Sequence, residues 1–474
     1  MISWYDLGNT CRSNDGTIYK ITIDRCFMEY AKSRQDLTEG PIWRKVIIFA
    51  LPILAGSLLQ QLYTTADAII IGQFAGKNAL AAIDTVYNLI KLPINFFTGV
   101  SLGATIIISQ YYGAKDKENI SVASHTALLF AFFGGLLLSI LGIFLSPFCL
   151  RLLQVPDDIF QESLIYVRIY FGGMTALMVY NMSAGIFRAV GDSKTPFYFL
   201  IIANIANVLL DILFIAVFRW GVAGAALTTA FSQVLGSFLV VMALIKTNLP
   251  CKIHLNKLRF QQVCLRKNIK LGLPVGIQAT LYPLANMLIQ SNVNAFGTNS
   301  IAAWAVCGKL DFLIWLITES LCSTISTFVA QNYGAKKYER AKKGVRVGVV
   351  LSVILVAVIG AILYFWNIQL GYLFVDDSRV IDISSRIMSV LSPLYVIYVF
   401  GGVLPGAIRG TGETIKPMIL TLIGSCGSRI LWIIAIVPLH HTLMTVLICY
   451  PVSWGVTSVI YLIFYRHCMG KLGP

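Results

Sequence analysis

The chain is patterned as long apolar segments separated by short polar ones. A helix needs about 20 mostly apolar residues to cross the hydrocarbon core of a bilayer. Twelve segments meet that requirement: 44–72, 79–110, 121–146, 160–187, 196–217, 221–245, 268–295, 300–330, 344–366, 382–408, 416–437 and 442–465. The pattern therefore predicts an all-α polytopic membrane protein with twelve transmembrane helices.

Composition supports a membrane protein. Hydrophobic residues make up 57% of the 474 residues and charged residues 12%, whereas about 25% charged residues are usual in soluble domains. The ten cysteines contain no C-x-x-C pair, and the five histidines show no metal-ligand spacing. We therefore expect neither a disulfide framework nor a bound transition metal.

Lysine and arginine are distributed unevenly between alternate loops. One set of loops carries most of them, and the other set carries only Lys77, Arg151, Arg219 and Arg379. Cytoplasmic loops of membrane proteins are enriched in these residues, so both termini are predicted to be cytoplasmic, most simply in a bacterial cytoplasmic membrane. An anionic lipid leaflet then accounts for the net charge of +15 without nucleic acid.

The two halves of the chain repeat each other. "GIFRAVGDSKTP" from Gly185 recurs as "GAIRGTGETIKP" from Gly406, 221 positions later, and "SQYYGAKDKE" (109–118) recurs as "AQNYGAKKYE" (330–339). Each half holds six predicted spans, and an even number keeps both halves in the same orientation. We therefore expect two parallel-related six-helix lobes around a central cleft.

The repeat also sets the predicted domain boundaries. They are a cytoplasmic N-terminal tail at 1–36, an N-lobe at 37–245, a basic cytoplasmic linker at 246–270 and a C-lobe at 271–474. The tail is mixed and polar and has no apolar core of a signal peptide. No segment indicates an obligate protein partner.

Asp67 and Asp211 are two of the aspartates that lie inside predicted spans of the N-lobe. Asp67 interrupts the apolar run "QQLYTTADAIIIGQFAG" (60–76), and Asp211 lies in the fifth span. An aspartate at the middle of a span costs about 2.5–3.5 kcal/mol and usually does ion or proton work. Asn204, Asn207 and Asp211 share one helical face, because they are spaced i, i+3 and i+7. The alternatives are a carboxylate that reaches the span end and polar groups that only join helices.

The duplication provides an internal control for these residues. Asp67 corresponds to Ile289 in the second half, and Asp211 corresponds to Trp432. The scaffold is present in both halves, but these acids occur only in the first, so the lobe architecture does not require them. We therefore expect Asp67 and Asp211 to form a carboxylate pair on facing helices, where H⁺ or Na⁺ binds.

Several motifs together resemble the multidrug and toxic compound extrusion (MATE) family of cation-coupled exporters. They are "ALPILAGSLLQQLYTTADAIIIGQFAG", "QYYGAKD", "FRAVGDSKTP", "GVAGAALTTAFSQ" and "STFVAQNYGAKKYERA". The resemblance covers about 37–466 and implies alternating access, export driven by H⁺ or Na⁺ and no cofactor. The NorM-like branch has a glutamate in span seven. Here "LPVGIQATLYPLAN" has no acid, so the resemblance is closer to the DinF-like branch.

The resemblance implies a cation-coupling site at the same residues. Family members carry an aspartate in span one and an Asn-x-x-x-Asp in span five, and some add an asparagine in span four and a threonine in span six. The matching positions are Asp67, Asn181, Asn207, Asp211 and Thr229, although Thr228 is adjacent to the last. A Na⁺ ion would bind at Asp67, Asn207 and Asp211.

Polar residues also follow one face of span seven in the C-lobe. Gln278, Tyr282, Asn286 and Gln290 recur every four residues, and Glu319 lies deep in span eight. We expect these five residues to line the substrate cleft, with Glu319 attracting cationic amphipathic drugs or metabolites. Hydrogen bonding between helices is the alternative for the stripe.

Two other functions compete with cation-coupled export. A flippase for lipid-linked oligosaccharides shares the broad architecture, but it should have a strongly basic central cleft, whereas the predicted intramembrane signature is acidic. A membrane-embedded enzyme is disfavoured because the chain has no H-E-x-x-H or Walker A motif. The sequence therefore favours an antiporter and not an enzyme.

Overall fold

The computed structural model describes residues 36–470, which are almost entirely helical. The first half contains α1 (Ile42–Ile70), α2 (Lys77–Gly113), α3 (Lys117–Leu152), α4 (Asp157–Ala189), α5 (Lys194–Asp211) and α6 (Gly221–Lys246). The second half contains α7 (Gln262–Asn294), α8 (Thr298–Leu310), α9 (Phe312–Gly334), α10 (Tyr338–Gly371), α11 (Ser378–Leu391), α12 (Tyr395–Gly410), α13 (Ile415–Thr421), α14 (Ser428–Ala435), α15 (Leu443–Leu447) and α16 (Cys449–Gly470). The predicted tail at 1–36 lies outside the described residues except for its last position.

Three helices continue into short π-helical turns. These turns are Ile71–Ala75 after α1, Ile212–Val217 after α5 and Leu422–Gly427 after α13. A π-helical turn inserts an extra residue into the helical repeat and changes the direction of the side chains beside it. The first two turns directly follow the helical segments that carry Asp67 and Asp211.

Eleven helical segments within residues 36–470 are long and apolar enough to cross a membrane. They overlap eleven of the twelve predicted spans, but the prediction 300–330 is divided at Asp311 into α8 and α9, and only α9 meets the criterion. The remaining prediction, 268–295, falls in α7, which has 33 residues but does not reach the same hydropathy. Its polar side chains at every fourth position lower its mean hydropathy, so a crossing by α7 stays a prediction.

The duplicated loops have the same backbone conformation in both halves. Lys115 and Lys336, which occupy equivalent positions in the two "YGAK" motifs, have φ of 59° and 56°. Gly191 and Gly412, 221 positions apart in the second motif, have φ of 89° and 95°. The left-handed region is strained for most residues, and glycine enters it freely. The repeat therefore extends from the sequence to the turns that end α2, α9, α4 and α12.

Buried apolar side chains form two clusters. One is drawn from residues 71–264 and the other mainly from 289–469, but the second also includes Leu37, Val46 and Phe49. The segment before α1 is held by hydrogen bonds from the second half, because Asn332 Nδ2 and Arg340 Nε both donate to the Leu37 carbonyl at 3.2 Å. The start of α1 is therefore fastened to the C-lobe.

Glycines allow the two lobes to approach at backbone distance. Gly99 and Gly103 of α2 face Gly276 and Gly272 of α7, and a Cβ on Gly103 would lie 2.5 Å from the Gly272 nitrogen. Small residues spaced by four let helix backbones pack closely inside membranes. The contact joins a helix of the N-lobe to a helix of the C-lobe.

The ends of α2 and α9 cross even more tightly. A Cβ on Gly113 would lie 1.8 Å from the Gln331 carbonyl oxygen, and a Cβ on Gly334 would lie 1.9 Å from that of Gln110. Both glycines belong to the "YGAK" motifs, and Gln110 and Gln331 are equivalent positions of the repeat. Only glycine fits here, so this crossing seals the two lobes together at the end of the molecule where these loops lie.

Side-chain amides reinforce this seal. Gln110 Nε2 donates to the Gly410 carbonyl at 3.0 Å, and Gln331 Nε2 donates to the Ala189 carbonyl at 2.8 Å. Gly410 and Ala189 are themselves equivalent positions in α12 and α4. Each glutamine therefore satisfies a carbonyl at the C-terminal end of a helix in the opposite lobe.

We predict that Gly113→Ala lowers the thermal midpoint of the purified protein in detergent, because its Cβ would overlap the Gln331 carbonyl. Gly172→Ala is the matched control: Gly172 lies within α4, and a Cβ there meets no atom within 4 Å. The control should be neutral or stabilising by up to about 1 kcal/mol, since alanine favours helices. Equal midpoints for Gly113→Ala and wild type would contradict the crossing.

Candidate functional site

The two intramembrane aspartates of the N-lobe lie beside each other. Asp67 is near the end of α1, and Asp211 is the last residue of α5. Their carboxyl groups are close enough to interact electrostatically. Because π-helical turns follow both segments, the structure places the pair where the two helices are locally irregular, as is common at functional sites.

Several acceptor oxygens at this site have no hydrogen-bond partner among residues 36–470. Asp211 is fully buried and accepts a hydrogen bond from Thr228 Oγ1 on one oxygen, while Oδ2 has no partner. Asn207, one turn earlier and 1% exposed, has no partner on either amide atom, and Asp67 Oδ1 is also unpaired. A buried polar group without a partner costs about 1–3 kcal/mol. These oxygens are the ligands that a hard cation prefers, so the residues fit a bound Na⁺ as well as a shared proton.

Among the described residues, the other two predicted coupling residues, Asn181 and Thr229, form no hydrogen bond with the pair. Thr229 Oγ1 donates to the Ala225 carbonyl at 2.9 Å, and its neighbour Thr228 contacts Asp211 instead. Asn181 lines the central cavity described below. The structure therefore brings together Asp67, Asn207 and Asp211.

A tyrosine that was not predicted from the sequence also lies beside this pair. Tyr63 interacts electrostatically with Asp67 and Asp211. It precedes Asp67 by four residues and therefore shares its face of α1. That spacing was the signal that could have identified it.

A cavity of about 390 Å³ lies between the two halves of the molecule. Helices α2 and α4 of the first half and α7, α9 and α12 of the second contribute to its lining. Its charged lining residues are Arg188, Arg409 and Glu319. Of the five predicted cleft residues, Gln278, Tyr282 and Glu319 line this cavity, whereas Asn286 and Gln290 are not part of its lining.

Polar side chains of the stripe on α7 accept hydrogen bonds from two arginines. Gln278 Oε1 accepts from Arg409 Nη2 at 2.8 Å, and Gln278 Nε2 donates to Thr421 Oγ1 at 3.0 Å. One turn further, Tyr282 and Asn286 accept from Arg429 at 3.0 and 2.6 Å. The alternative considered for the stripe, hydrogen bonding between helices, is thus present in the same residues that face the cavity.

Arg429 in α14 is the largest fully buried side chain in the described part of the chain, at 1% exposure. Its guanidinium carbon lies 5.0 Å from the Tyr282 ring centroid and 4.6 Å from that of Tyr450, and its Nε donates to Ser453 Oγ at 2.9 Å. Hydrogen bonds and aromatic faces together compensate for the buried charge. The sequence reasoning did not single out this residue, although an arginine in the middle of a predicted span was a visible signal.

Comparisons with known proteins agree on one family. The sequence model of the MatE family matches residues 52–213 and 274–433. The probable multidrug resistance protein YoeA of Bacillus subtilis is 28% identical over 448 residues, covering 92% of this chain and 96% of YoeA. The FAD transporter of Shewanella oneidensis is 27% identical over 391 residues, covering 79% of this chain and 84% of that protein. The outward-facing conformation of a multidrug resistance MATE family transporter of the MOP superfamily superposes with a TM-score of 0.87 at 21% identity, covering 93% of this chain and 99% of that one.

We predict that Arg429→Met lowers the thermal midpoint in detergent, because Tyr282, Asn286 and Ser453 lose their partner. Each polar group left unsatisfied costs about 1–3 kcal/mol. Arg386→Met is the control, since Arg386 pairs with Asp382 on an exposed face, where an ion pair contributes about 0–1 kcal/mol. A midpoint for Arg429→Met as high as that of Arg386→Met would contradict a stabilising role of Arg429.

Proposed function

Because the chain belongs to the MatE family of multi-pass membrane transporters, which are not enzymes, we propose that it exports drug-like solutes or metabolites in exchange for H⁺ or Na⁺. The observation that carries the proposal is the pair of half-buried Asp67 and fully buried Asp211, with unpaired oxygens among residues 36–470 beside it. The multidrug resistance described for YoeA supports efflux of drug-like solutes.

The coupling step follows from the closeness of the two carboxyls. Two carboxylates in a dry site cannot both stay charged, so one takes a proton or a Na⁺ ion bridges them. Loading neutralises the pair and removes the repulsion between α1 and α5. The π-helical turns beside both residues are the points at which these helices can repack.

The seal at the "YGAK" loops supports alternating access between two states. These loops are rich in lysine, so the positive-inside rule assigns them to the cytoplasm. In this orientation the lobes are closed on the cytoplasmic side, and transport requires the Gly113–Gly334 crossing and both glutamine contacts to separate. A ligand changes the balance of the two states only through its different affinity for them.

The same proposal includes the finer architecture. We assign α7 as a twelfth span, because its 33 residues are long enough and its polar side chains face other helices instead of lipid. The lobes are then 37–245 and 271–474, with the basic linker 246–270 and both termini in the cytoplasm. The absence of an acid in "LPVGIQATLYPLAN" favours the DinF-like branch.

One observation favours flippase activity as the second candidate. Arg188 and Arg409 line the central cavity, and a basic cleft is what a carrier of lipid-linked pyrophosphates needs. Glu319 lines the same cavity and reduces its positive charge. Export of soluble compounds therefore remains the first candidate.

We predict that a cysteine at position 117 is shielded from a membrane-impermeant maleimide in intact cells, whereas one at position 379 reacts. Lys117 and Arg379 are both exposed in the structure, so burial inside the protein does not shield them. The native cysteines are replaced by serine or alanine beforehand, and lysed cells should label at both positions. External labelling at 117 would overturn the assigned orientation.

We predict that Asp67→Asn and Asp211→Asn each abolish efflux from proteoliposomes under an imposed pH or Na⁺ gradient. Asparagine keeps the size and hydrogen bonding of aspartate but removes the titratable charge. Asp376→Asn, at an exposed loop carboxylate, should retain wild-type efflux at matched protein amounts. Gradient-driven efflux at the wild-type rate by both N-lobe variants would move the coupling site elsewhere, with Glu319 the next acid to test.

A further inference from the structure

Two arginines in the central cavity are related by the duplication. Arg188 lies in α4 of the N-lobe, and Arg409 lies 221 positions later in α12 of the C-lobe. Both line the cavity, together with the equivalent pair Thr105 and Ser326. The cavity therefore receives one guanidinium from each lobe at its end near the seal.

These side chains keep hydrogen-bond donors that no described residue uses. Arg409 is 9% exposed, and its Nε has no partner although Nη2 donates to Gln278. Ser326 Oγ is buried and also unpaired. Within residues 36–470, no hydrogen bond or ion pair holds the Arg188 guanidinium. A single group rich in acceptors can satisfy all three.

Glu319, the one carboxylate among the cavity-lining residues, is not the acceptor for these donors. Glu319 precedes Ser326 by seven residues on α9 and is therefore about 10 Å further along the helix axis. Among the described residues it forms no ion pair with either arginine. With two arginines and one glutamate, the lining is positive at the end near the seal and acidic above it.

The position of the arginines in their helices explains their charge only in part. Each is at or next to the last residue of a long helix, where a cation interacts favourably with the helix dipole. That effect requires a positive side chain but does not require it to line a cavity. The unused donors therefore indicate a ligand.

We propose that Arg188 and Arg409 form an anion-binding floor that holds a phosphate or carboxylate group of the transported solute. Guanidinium presents a planar fork of donors that matches both groups. The inference rests on the proposed transport function for its role, and it replaces the cationic solute expected from the resemblance and from Glu319. Asp67 and Asp211 do not line this cavity, so cation coupling and anion binding occupy separate sites.

Binding to the purified full chain in detergent tests the proposal with four probes that share one aromatic ring. They are 1-naphthyl phosphate, 1-naphthylacetate, neutral 1-naphthylmethanol and cationic 1-naphthylmethylammonium, each titrated by calorimetry. We expect both anions to bind more tightly than the neutral and cationic probes. Tighter binding of the cation than of either anion, or no detectable binding of either anion, would overturn the proposal.

Substitutions assign the binding to the arginines. Arg188→Gln should weaken binding of the anions by at least about tenfold, the contribution of one charge-assisted hydrogen bond, and leave the neutral probe unchanged. Arg188→Lys should retain part of the affinity, and Arg386→Gln, at the exposed pair, should bind like wild type. Since no hydrogen bond or ion pair within residues 36–470 holds the Arg188 guanidinium, its substitution should not impair folding, which the thermal midpoint verifies. Unchanged anion affinity in Arg188→Gln would overturn the assignment.

Two further probes distinguish the source of the anionic group. Inorganic phosphate that binds as tightly as naphthyl phosphate would overturn the assignment to an organic solute. Arg188-dependent binding of farnesyl phosphate alone would support the anion-binding floor and assign its ligand to a lipid. Binding to the purified protein needs no ion gradient. Absence of gradient-driven efflux would therefore refute the proposed antiport without affecting the binding result. Absence of anion binding would refute the anion-binding floor without affecting the proposed antiport.

Discussion

Charge buried in an apolar environment is the constraint on which the architecture depends, because lipid offers no water to satisfy a polar group. Two buried charged side chains of the C-lobe have partners within the protein. Arg429 is surrounded by hydrogen-bond acceptors and two tyrosine rings, and Asp311 accepts from Tyr395 Oη at 2.8 Å. The N-lobe leaves buried polar atoms unsatisfied, since Asp67 and Asp211 each keep one oxygen without a partner among residues 36–470. A buried charge with partners is compensated within the fold, whereas Asp67 and Asp211 leave acceptor oxygens that a ligand could use.

The duplication separates these two uses of charge. Motifs that shape the backbone occur in both halves, and their geometry is equivalent down to the glycine crossings and the glutamine contacts of the seal. Asp67 and Asp211 have apolar or aromatic counterparts in the second half. Conversely, Arg429 of the C-lobe corresponds to the apolar Val208 in the first half. The common scaffold therefore carries two different polar interiors, and that asymmetry is the basis for the separate cation and solute sites proposed above.

Hydrophobic periodicity and the internal repeat were sufficient to predict the helices, because both depend on local sequence. They also predicted the carboxylate pair, since Asn207 and Asp211 share a helical face. Periodicity and the repeat could not predict which side chain of another helix a given residue contacts. Gln278 and Tyr282 appeared as a cleft-lining stripe, but their contacts with Arg409 and Arg429 depend on how α7 packs against α12 and α14. For the same reason the choice between Thr228 and Thr229 required the rotation of α6 about its axis.

The seal and the proposed anion-binding floor are adjacent along the chain. Arg188 precedes Ala189 and Arg409 precedes Gly410, whose carbonyls accept the glutamine contacts from the opposite lobe. Separation of the lobes at the seal would therefore draw the two arginines apart. An anion that enters between the separated arginines binds more tightly as the two arginines approach each other. The anion therefore favours closure of that end of the cavity. In the proposed exchange, release on the other side then needs free energy from elsewhere, which cation loading at Asp67 and Asp211 would supply.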